Sequence, residues 1–237
     1  MRIGIIGPTE NEINPFIKSM DITKTEKHAM LSFHSGKYLD IDVIALFCGV
    51  CKVNAAIAAQ ILIDKYHVSH IIVIGAAGAI DENLHIFDTV ISSEIAYHDV
   101  ADGILTEYHP WMKTVYFNAD EDLINGISKA NINDNSVMVG RIVTGETFID
   151  QDGREEIIEK RNPLCVDMET ASIAHVCYAN VVPFVAIRSI SDTPHESGSE
   201  SFEKYYNDAA EKSVNVLTRY LNTIKGDAPC QNKLQNP

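Results

Sequence analysis

Four acidic side chains follow apolar segments of this chain: Glu12, Asp167, Glu169 and Asp192. Carboxyl groups can perform general acid–base chemistry when their surroundings hold them in different protonation states. Taken singly, each is also typical of a first helical turn, which a carboxylate stabilises by roughly 0.3 to 1 kcal/mol. Arg188 is harder to explain in that way, because a charge within an apolar run is costly unless it is paired. We therefore expect Arg188 to reach a carboxylate.

A run of small residues, Gly-Ala-Ala-Gly-Ala at 75–79, closes the apolar segment 71–74. Such small side chains let backbone N–H groups approach a ligand closely, and a tight turn explains the run equally well. The run has neither the Gly-x-Gly-x-x-Gly spacing of a dinucleotide-binding fold nor the Gly-Lys-Ser/Thr of a phosphate-binding loop. The sequence therefore disfavours a nicotinamide or ATP cofactor.

The elements that must position these residues are short β-branched runs alternating with helical patterns. We interpret the runs bounded by Gly, Pro, Asp or Ser as buried strands, at residues 3–6, 43–47, 71–74, 89–91, 136–143 and 184–190. Apolar residues near helical spacing predict helices at 53–66, 168–178 and 202–224. This alternation predicts an α/β fold with a central mixed twisted sheet flanked by helices. Functional residues of such sheets gather at the carboxyl ends of strands.

Two further predictions concern the organisation of the chain. Residues 30–47 are interpreted as an antiparallel hairpin, with Gly36-Lys37 between its two strands. Residues 1–225 are predicted to form a single domain, because neither a repeat nor a linker interrupts them. The polar tail 226–237 is predicted to be disordered.

The composition limits the partners of the protein. Its 237 residues include 33 acidic and 19 basic side chains, for a net charge of −14. Such a surface repels phosphate backbones and anionic lipid, so neither nucleic acid nor a membrane is expected as a partner. The apolar N-terminal run is too short for a signal or spanning segment, and five cysteines, an odd number, suit a reducing compartment. We therefore expect a cytoplasmic protein.

Several motifs occur in a characteristic order along the chain: Gly-Ile-Ile-Gly at 4–7 with Glu12, Gly-Ala-Ala-Gly at 75–78, Asp-Met-Glu at 167–169 and Arg-Ser-Ile-Ser-Asp at 188–192. With them, the sequence resembles the bacterial 5′-methylthioadenosine/S-adenosylhomocysteine nucleosidases from residue 1 to about residue 224. The resemblance implies a three-layer nucleoside phosphorylase-like fold and a homodimer that needs neither metal nor cofactor. It also implies hydrolysis of the N-glycosidic bond of 5′-substituted adenosines by water, in methionine salvage.

The resemblance implies a role for each site residue. Asp192 would protonate N7 of the departing adenine, and its site must raise its pKa, because a free Asp has a pKa of about 3.9. Ser191 would orient Asp192, while Glu12 would deprotonate the attacking water with Arg188 as its partner. The remaining positions would bind the nucleoside: Glu169 the ribose hydroxyls, Met168 the sugar face, Gly78 near the water and ribose, Phe148 by stacking on adenine, Ile149 through its backbone at the base edge, and Phe202 and Val50 around the sugar and the 5′ group.

Two features depart from the pattern of these nucleosidases. Ala76 stands where many relatives carry Ser, and we expect backbone contacts to compensate for the missing hydroxyl. The segment 102–117 is shorter than the loop that in relatives reaches the neighbouring subunit's 5′ pocket. The 5′ group is therefore left open among methylthioadenosine, S-adenosylhomocysteine, 5′-deoxyadenosine and aminodeoxyfutalosine.

The nearest alternative function is a phosphate-dependent purine nucleoside phosphorylase. Phosphate needs cationic or amide groups to hold it, and neither residues 8–12 nor residues 73–74 contain an arginine. A nucleoside-binding module without catalysis is a second alternative, which the set of Glu12, Glu169 and Asp192 disfavours.

Two other motifs suggest different chemistry. Cys48 and Cys51 form a Cys-x-x-Cys pair between a predicted strand and a predicted helix, the setting of a thiol oxidoreductase. His98-Asp99 could be a catalytic pair, but a nucleophile motif does not accompany it, and we interpret it as a structural anchor.

Overall fold

The computed structural model describes residues 1–108, 112–150, 152–195 and 198–224, so the predicted tail at 226–237 lies outside the described residues. The strands are β1 (Arg2–Gly7), β2 (Asp21–His28), β3 (Leu31–Tyr38), β4 (Ile41–Phe47), β5 (His70–Ala79), β6 (Thr89–Tyr97), β7 (Phe117–Asn118), β8 (Val137–Thr144), β9 (Cys165–Asp167) and β10 (Phe184–Asp192). The helices are α1 (Glu10–Ile17), α2 (Lys52–Asp64), α3 (Ile104–Glu107), α4 (Glu121–Ala130), α5 (Arg154–Arg161), α6 (Thr170–Asn180) and α7 (Gly198–Ile224).

The strands of the described residues form one sheet, in the order β10-β6-β8-β9-β5-β1-β4-β3-β2, with β7 on β6. Strand β10 also pairs with β5, so that β5, β9, β8, β6 and β10 close on themselves. The neighbours of β1 are parallel to it, whereas β2–β3, β3–β4, β5–β9 and β6–β10 are antiparallel. The predicted α/β fold with a mixed sheet is confirmed.

The core lies between the sheet and its helices. Helix α7 packs along β5 and β10 together with α1 and α4, and α2 packs against α6. Ile3, Ile5 and Ile6 of β1 are fully buried between β4 and β5. Parallel strands covered on both faces have continuous apolar runs, which is why β1 is visible in the sequence. None of the helices in the described ranges is long and apolar enough to cross a membrane.

The hairpin predicted at residues 30–47 is confirmed as β3–β4, but its predicted turn is wrong. The chain turns at Leu39, which has a φ of 55°, and Gly36-Lys37 lies inside β3. A Cβ on Gly36 would collide with the backbone oxygen of Asp21 in β2, so this glycine permits close strand packing. Strand β2 itself was not predicted, because its side chains are mostly polar and exposed and show no apolar face.

The turn interpretation of residues 75–79 is also wrong. These residues continue β5, where they pair with β9 and β10. A Cβ on Gly75 would lie 2.5 Å from Glu12 Oε1 and 2.6 Å from Arg188 Nη1, and the φ of this residue is 147°. Glycine is required there because two charged side chains pack directly against the backbone.

Candidate active site

A cavity lies where β1, β5, β9 and β10 end, and it encloses about 600 Å³ of empty space, including the part open to solvent. All the predicted site residues except Arg188 line it: Glu12, Val50, Gly78, Phe148, Ile149, Met168, Glu169, Ser191, Asp192 and Phe202. The other lining residues are Pro8, Thr9, Ala76, Ala77, Thr147, Val166 and Asp167. The fold therefore brings together side chains that are up to 190 positions apart in the sequence, as the difference between 202 and 12 shows.

Glu12 is held by hydrogen bonds to both of its carboxylate oxygens. It occupies the third position of α1 and forms a capping box with Thr9, whose Oγ1 donates to Glu12 Oε2 at 2.7 Å. The backbone N–H of Ala76 donates to Oε1 at 2.9 Å, so residue 76 contacts this carboxylate through its backbone. Burial raises the pKa of Glu12, against the opposing effects of Arg188 and these donors.

Arg188 reaches carboxylates, as predicted, but its ion pairs differ from the expected one. It is fully buried, and its guanidinium binds Asp167 Oδ2 at 2.8 Å and Glu169 Oε2 at 3.2 Å. Glu12 is not among its ion-pair partners in the described part of the chain, although Arg188 lowers the pKa of Glu12 through space. Arg188 thus lies beneath the cavity wall and fixes Glu169. It was predicted to bind the substrate, but it is not among the residues that line the cavity.

Glu169 faces the cavity from the turn between β9 and α6. Its Oε2 pairs with Arg188, and its Oε1 accepts a hydrogen bond of 2.9 Å from the backbone N–H of Cys51, just before α2. Burial raises the pKa of Glu169, with Arg188 opposing it. These two contacts fix the carboxylate from opposite oxygens, so its orientation does not depend on a ligand.

Asp192 ends β10 and is 4% exposed. Ser191 Oγ donates to Asp192 Oδ1 at 2.8 Å, and Gly78 leaves space for the other oxygen, since a Cβ there would lie 2.7 Å from Asp192 Oδ2. Burial raises the pKa of Asp192 to about 6, while the Ser191 hydrogen bond lowers it. The shift has the direction that general acid catalysis requires, and the Ser191 hydroxyl is in hydrogen-bond contact with the carboxyl group.

Aromatic side chains form the outer part of the cavity. Phe148 lies on the segment 145–150, and 42% of its surface is exposed. Its ring meets Phe202 of α7 edge to face, with centroids 5.8 Å apart, and Phe202 stacks on Tyr206. Phe148 therefore lines the cavity with a partly exposed ring, a side chain that can stack on a flat heterocycle.

The comparison with known proteins decides the family. The profile of the phosphorylase superfamily matches residues 2–222. A 5′-methylthioadenosine/S-adenosylhomocysteine nucleosidase of Maridesulfovibrio salexigens is 36% identical, over 94% of this chain and 100% of the relative, and the Bacillus subtilis nucleosidase is 33% identical over the same shares. The chain belongs to this nucleosidase family. The Colwellia psychrerythraea nucleosidase in complex with adenine has a TM-score of 0.86 and 31% identity, covering 97% of this chain and 98% of the other.

Two residues of the nucleosidase site were missed by the sequence predictions. Asp167 was quoted as part of a motif but given no role, and it forms the 2.8 Å ion pair that neutralises Arg188. Thr9 lines the cavity and donates to Glu12. The Thr-x-x-Glu spacing of a capping box was the available signal for Thr9, whereas the Asp167–Arg188 pair depends on β9 and β10 meeting in space.

The cysteine and histidine motifs of the nucleosidase do not show the features of reactive sites. Burial raises the pKa of both Cys48 and Cys51, which is the opposite of thiolate activation. Asp99 accepts two hydrogen bonds from Lys52 Nζ and one from the backbone N–H of Glu146, which favours the anchoring role. Across the described ranges, groups of three potential ligands are not arranged to hold a metal ion.

The raised pKa of Asp192 predicts an effect on stability. Below about pH 3.8 both the folded and the unfolded chain hold this proton, but above pH 6 the folded state must bury a carboxylate. The difference of about two pKa units corresponds to at most about 3 kcal/mol lost as pH rises through this window. We therefore expect Asp192→Asn to raise the free energy of unfolding at pH 7.5 and not at pH 3.5, measured by urea denaturation.

Asp134 provides a control of opposite sign. Hydrogen bonds from Lys212, Ser136 and Arg219 lower the pKa of this carboxyl group. Asp134→Asn should therefore destabilise the protein at pH 7.5. Equal stability of wild type and Asp192→Asn at pH 7.5 would show that the site does not disfavour the carboxylate.

Proposed function

We propose that this nucleosidase hydrolyses the N-glycosidic bond of 5′-substituted adenosines, with 5′-methylthioadenosine and S-adenosylhomocysteine as its main substrates and 5′-deoxyadenosine as a further one. The enzyme class follows from the family: the protein is an N-glycosidic hydrolase. The observation that carries the assignment is the cavity itself, in which three buried carboxyl groups with raised pKa values meet: Glu12, Glu169 and Asp192.

The reaction breaks the bond between C1′ of the ribose and N9 of adenine. Adenine leaves poorly as an anion, so Asp192 donates its proton to N7 as the bond breaks. Its pKa of about 6 keeps roughly one molecule in ten protonated at pH 7. The 2.8 Å hydrogen bond from Ser191 holds the donor in one orientation.

The sugar develops positive charge as adenine departs. Glu169 accepts hydrogen bonds from the ribose hydroxyls, and its negative charge stabilises the positive charge of the sugar. Arg188 and the Cys51 N–H keep the Glu169 carboxylate in place. Glu12 takes a proton from the attacking water, which then bonds to C1′. The products are adenine and the 5′-substituted ribose, and Asp192 and Glu12 return to their starting protonation states by exchange with solvent.

The binding roles follow from position along the cavity. Phe148 stacks on adenine and the Ile149 backbone pairs with its edge, in keeping with the adenine found in the Colwellia relative. Met168 packs on the ribose beside Gly78. Val50 and Phe202 surround the 5′ group, and their apolar side chains favour a thioether over a free hydroxyl.

A phosphorylase is not favoured. Among the residues that the structure describes, those that line the cavity include neither lysine nor arginine, and a phosphate nucleophile would have to enter beside three carboxyl groups. Arg188, the buried cation below them, is already paired with Asp167 and Glu169. Water needs no such compensation, so hydrolysis fits the electrostatics of this site.

The assembly and cellular role are part of the same proposal. The protein forms a homodimer through α2 and α6, which pack together and expose apolar side chains: Val53 and Ile57 on α2, Tyr178 on α6 and Val181 directly after it. Such a face is typical of an interface. The protein works in the cytoplasm, where the released thioribose enters methionine salvage.

The proposal is tested by adenine release from 5′-methylthioadenosine, followed by chromatography in phosphate-free buffer and again with phosphate added. We expect equal rates in both buffers, with free methylthioribose as the second product. Asp192→Asn is the control for a contaminating activity. Release that requires phosphate, with a sugar phosphate as product, would assign the chain to the phosphorylase alternative.

A further inference from the structure

Arg154 is a cation beside the site that the roles above do not use. It is the first residue of α5 and is 9% exposed. Its Nη1 donates to the backbone oxygen of Ala79 at 2.7 Å, and its Nη2 donates to the same oxygen. Its Nε is buried without a hydrogen-bond partner among the described residues. A buried guanidinium that donates to a single carbonyl oxygen leaves part of its hydrogen-bonding capacity unused, which lowers the stability of the fold unless its charge is compensated.

The position of Arg154 links two parts of the cavity. Ala79 follows Gly78, the residue against which Asp192 Oδ2 packs. Helix α5 comes soon after the segment 145–150, which contributes Phe148 and Ile149 to the cavity. The hydrogen bonds of Arg154 therefore attach the start of α5 to β5, one residue from the glycine against which Asp192 packs.

We propose that Arg154 is a positioning residue: it fastens the start of α5, which follows the segment 145–150, to β5 at Ala79, the neighbour of the Gly78 against which Asp192 packs. The inference rests on the proposed function, because it concerns how the same site presents adenine to its acid. It assigns two separable effects to one side chain. The hydrogen bonds to Ala79 set the affinity for adenine, and the charge sets the pH at which Asp192 ionises.

The charges around both groups support this division. Arg154 lowers the pKa of Asp192, whereas burial and Asp150 raise it. Cys165 is also close enough for Asp192 to affect its pKa, but burial raises the pKa of this thiol, so it stays neutral and adds no charge to the site. Arg154 in turn faces Asp192, Asp150 and Glu82. Without Arg154, the Ser191 hydrogen bond would still oppose burial and Asp150 but the positive charge would not, so Asp192 would hold its proton to higher pH.

The test compares wild type with Arg154→Gln, Arg154→Lys and Arg161→Gln. Arg161 is a matched control, because it lies on the same helix, is 7% exposed and pairs with Asp102 instead of Ala79. The ionisation of Asp192 is followed by NMR of ¹³C-labelled aspartate, with the signal assigned from Asp192→Asn. Adenine affinity is measured by calorimetry, and circular dichroism confirms that each variant is folded.

We expect Arg154→Gln to raise the midpoint of the Asp192 titration by about 0.7 pH units and to weaken adenine binding roughly tenfold. Arg154→Lys keeps the charge but loses the forked donation, so it should restore the midpoint and not the affinity. Arg161→Gln should leave the midpoint unchanged.

An Arg154→Gln midpoint equal to that of wild type would overturn the charge effect, and wild-type adenine affinity in Arg154→Lys would overturn the anchoring effect. If Arg154→Gln does not fold, the lysine variant still tests the anchor. Failure of the proposed function looks different: wild type would then release no adenine from any of the nucleosides, while the Asp192 titration would still respond to Arg154.

Discussion

Asp192→Asn is expected to lower kcat for 5′-methylthioadenosine hydrolysis by roughly 10²- to 10⁴-fold, with KM changed by less than about tenfold. The amide fills the same space and can still accept the Ser191 hydrogen bond, but it cannot give adenine a proton. A loss confined to kcat is the signature of an interaction made in the transition state. Steady-state rates of adenine release at pH 6, where half of the carboxyl groups hold a proton, measure the effect directly.

Ser191→Ala is the partner variant for this test. It removes the hydrogen bond that orients Asp192 and lowers its pKa, but it leaves the carboxyl group in place. We expect it to keep at least about a tenth of the wild-type kcat, because the acid itself remains. If Asp192→Asn were as active as Ser191→Ala, adenine would leave without help from this residue.

Glu12→Gln is expected to lower kcat by a comparable factor, roughly 10²- to 10⁴-fold. Glutamine has one acceptor oxygen, so it can keep the hydrogen bond from the Ala76 N–H or the one from the Thr9 N–H, but not both. The Thr9 side chain can still accept from the backbone N–H of residue 12, so α1 should keep its N-cap. It cannot take a proton from water at any working pH. The lost step is therefore activation of the nucleophile, measured as methylthioribose formation in single-turnover experiments.

Glu10 provides the matched control for Glu12. Both residues lie in the first turn of α1, but Glu10 is exposed and is not part of the cavity lining. Glu10→Gln should therefore leave the turnover rate at its wild-type value. Turnover by Glu12→Gln within about tenfold of wild type would mean that another group activates the water.

The elements that could be predicted from the sequence are those whose burial is complete on both faces. The apolar runs of β1 and of residues 184–187 in β10 stand out because these strands lie inside the sheet and are buried on both faces. Strand β2 could not be found in this way, since its polar residues lie at the exposed edge of the sheet. The turn at Leu39 lacks the glycine that would mark a left-handed residue, so Gly36 misled the interpretation.

The candidate site divides along similar lines. The family resemblance selected most of the residues that line the cavity, and several of them, such as Gly78 and Asp192, lie at strand ends. The partners of Arg188 were not predictable, since several carboxylates follow apolar runs and only the register of β10 on β5 and the position of β9 decide among them. Arg154 gave no signal at all, because its sequence context is that of an ordinary charged helix.

The measurement that tests the account most directly is the pH dependence of kcat/KM for 5′-methylthioadenosine between pH 5 and 9. This ratio reports the ionisation of the free enzyme. Asp192 must hold a proton, whereas Glu12 and Glu169, whose pKa values are also raised, must be ionised. The account therefore predicts a maximum in kcat/KM with a fall of tenfold per pH unit on its alkaline side, and this fall disappears in the residual activity of Asp192→Asn. A profile that stays flat from pH 6 to 9 would contradict the claim that this buried carboxyl group protonates the leaving adenine.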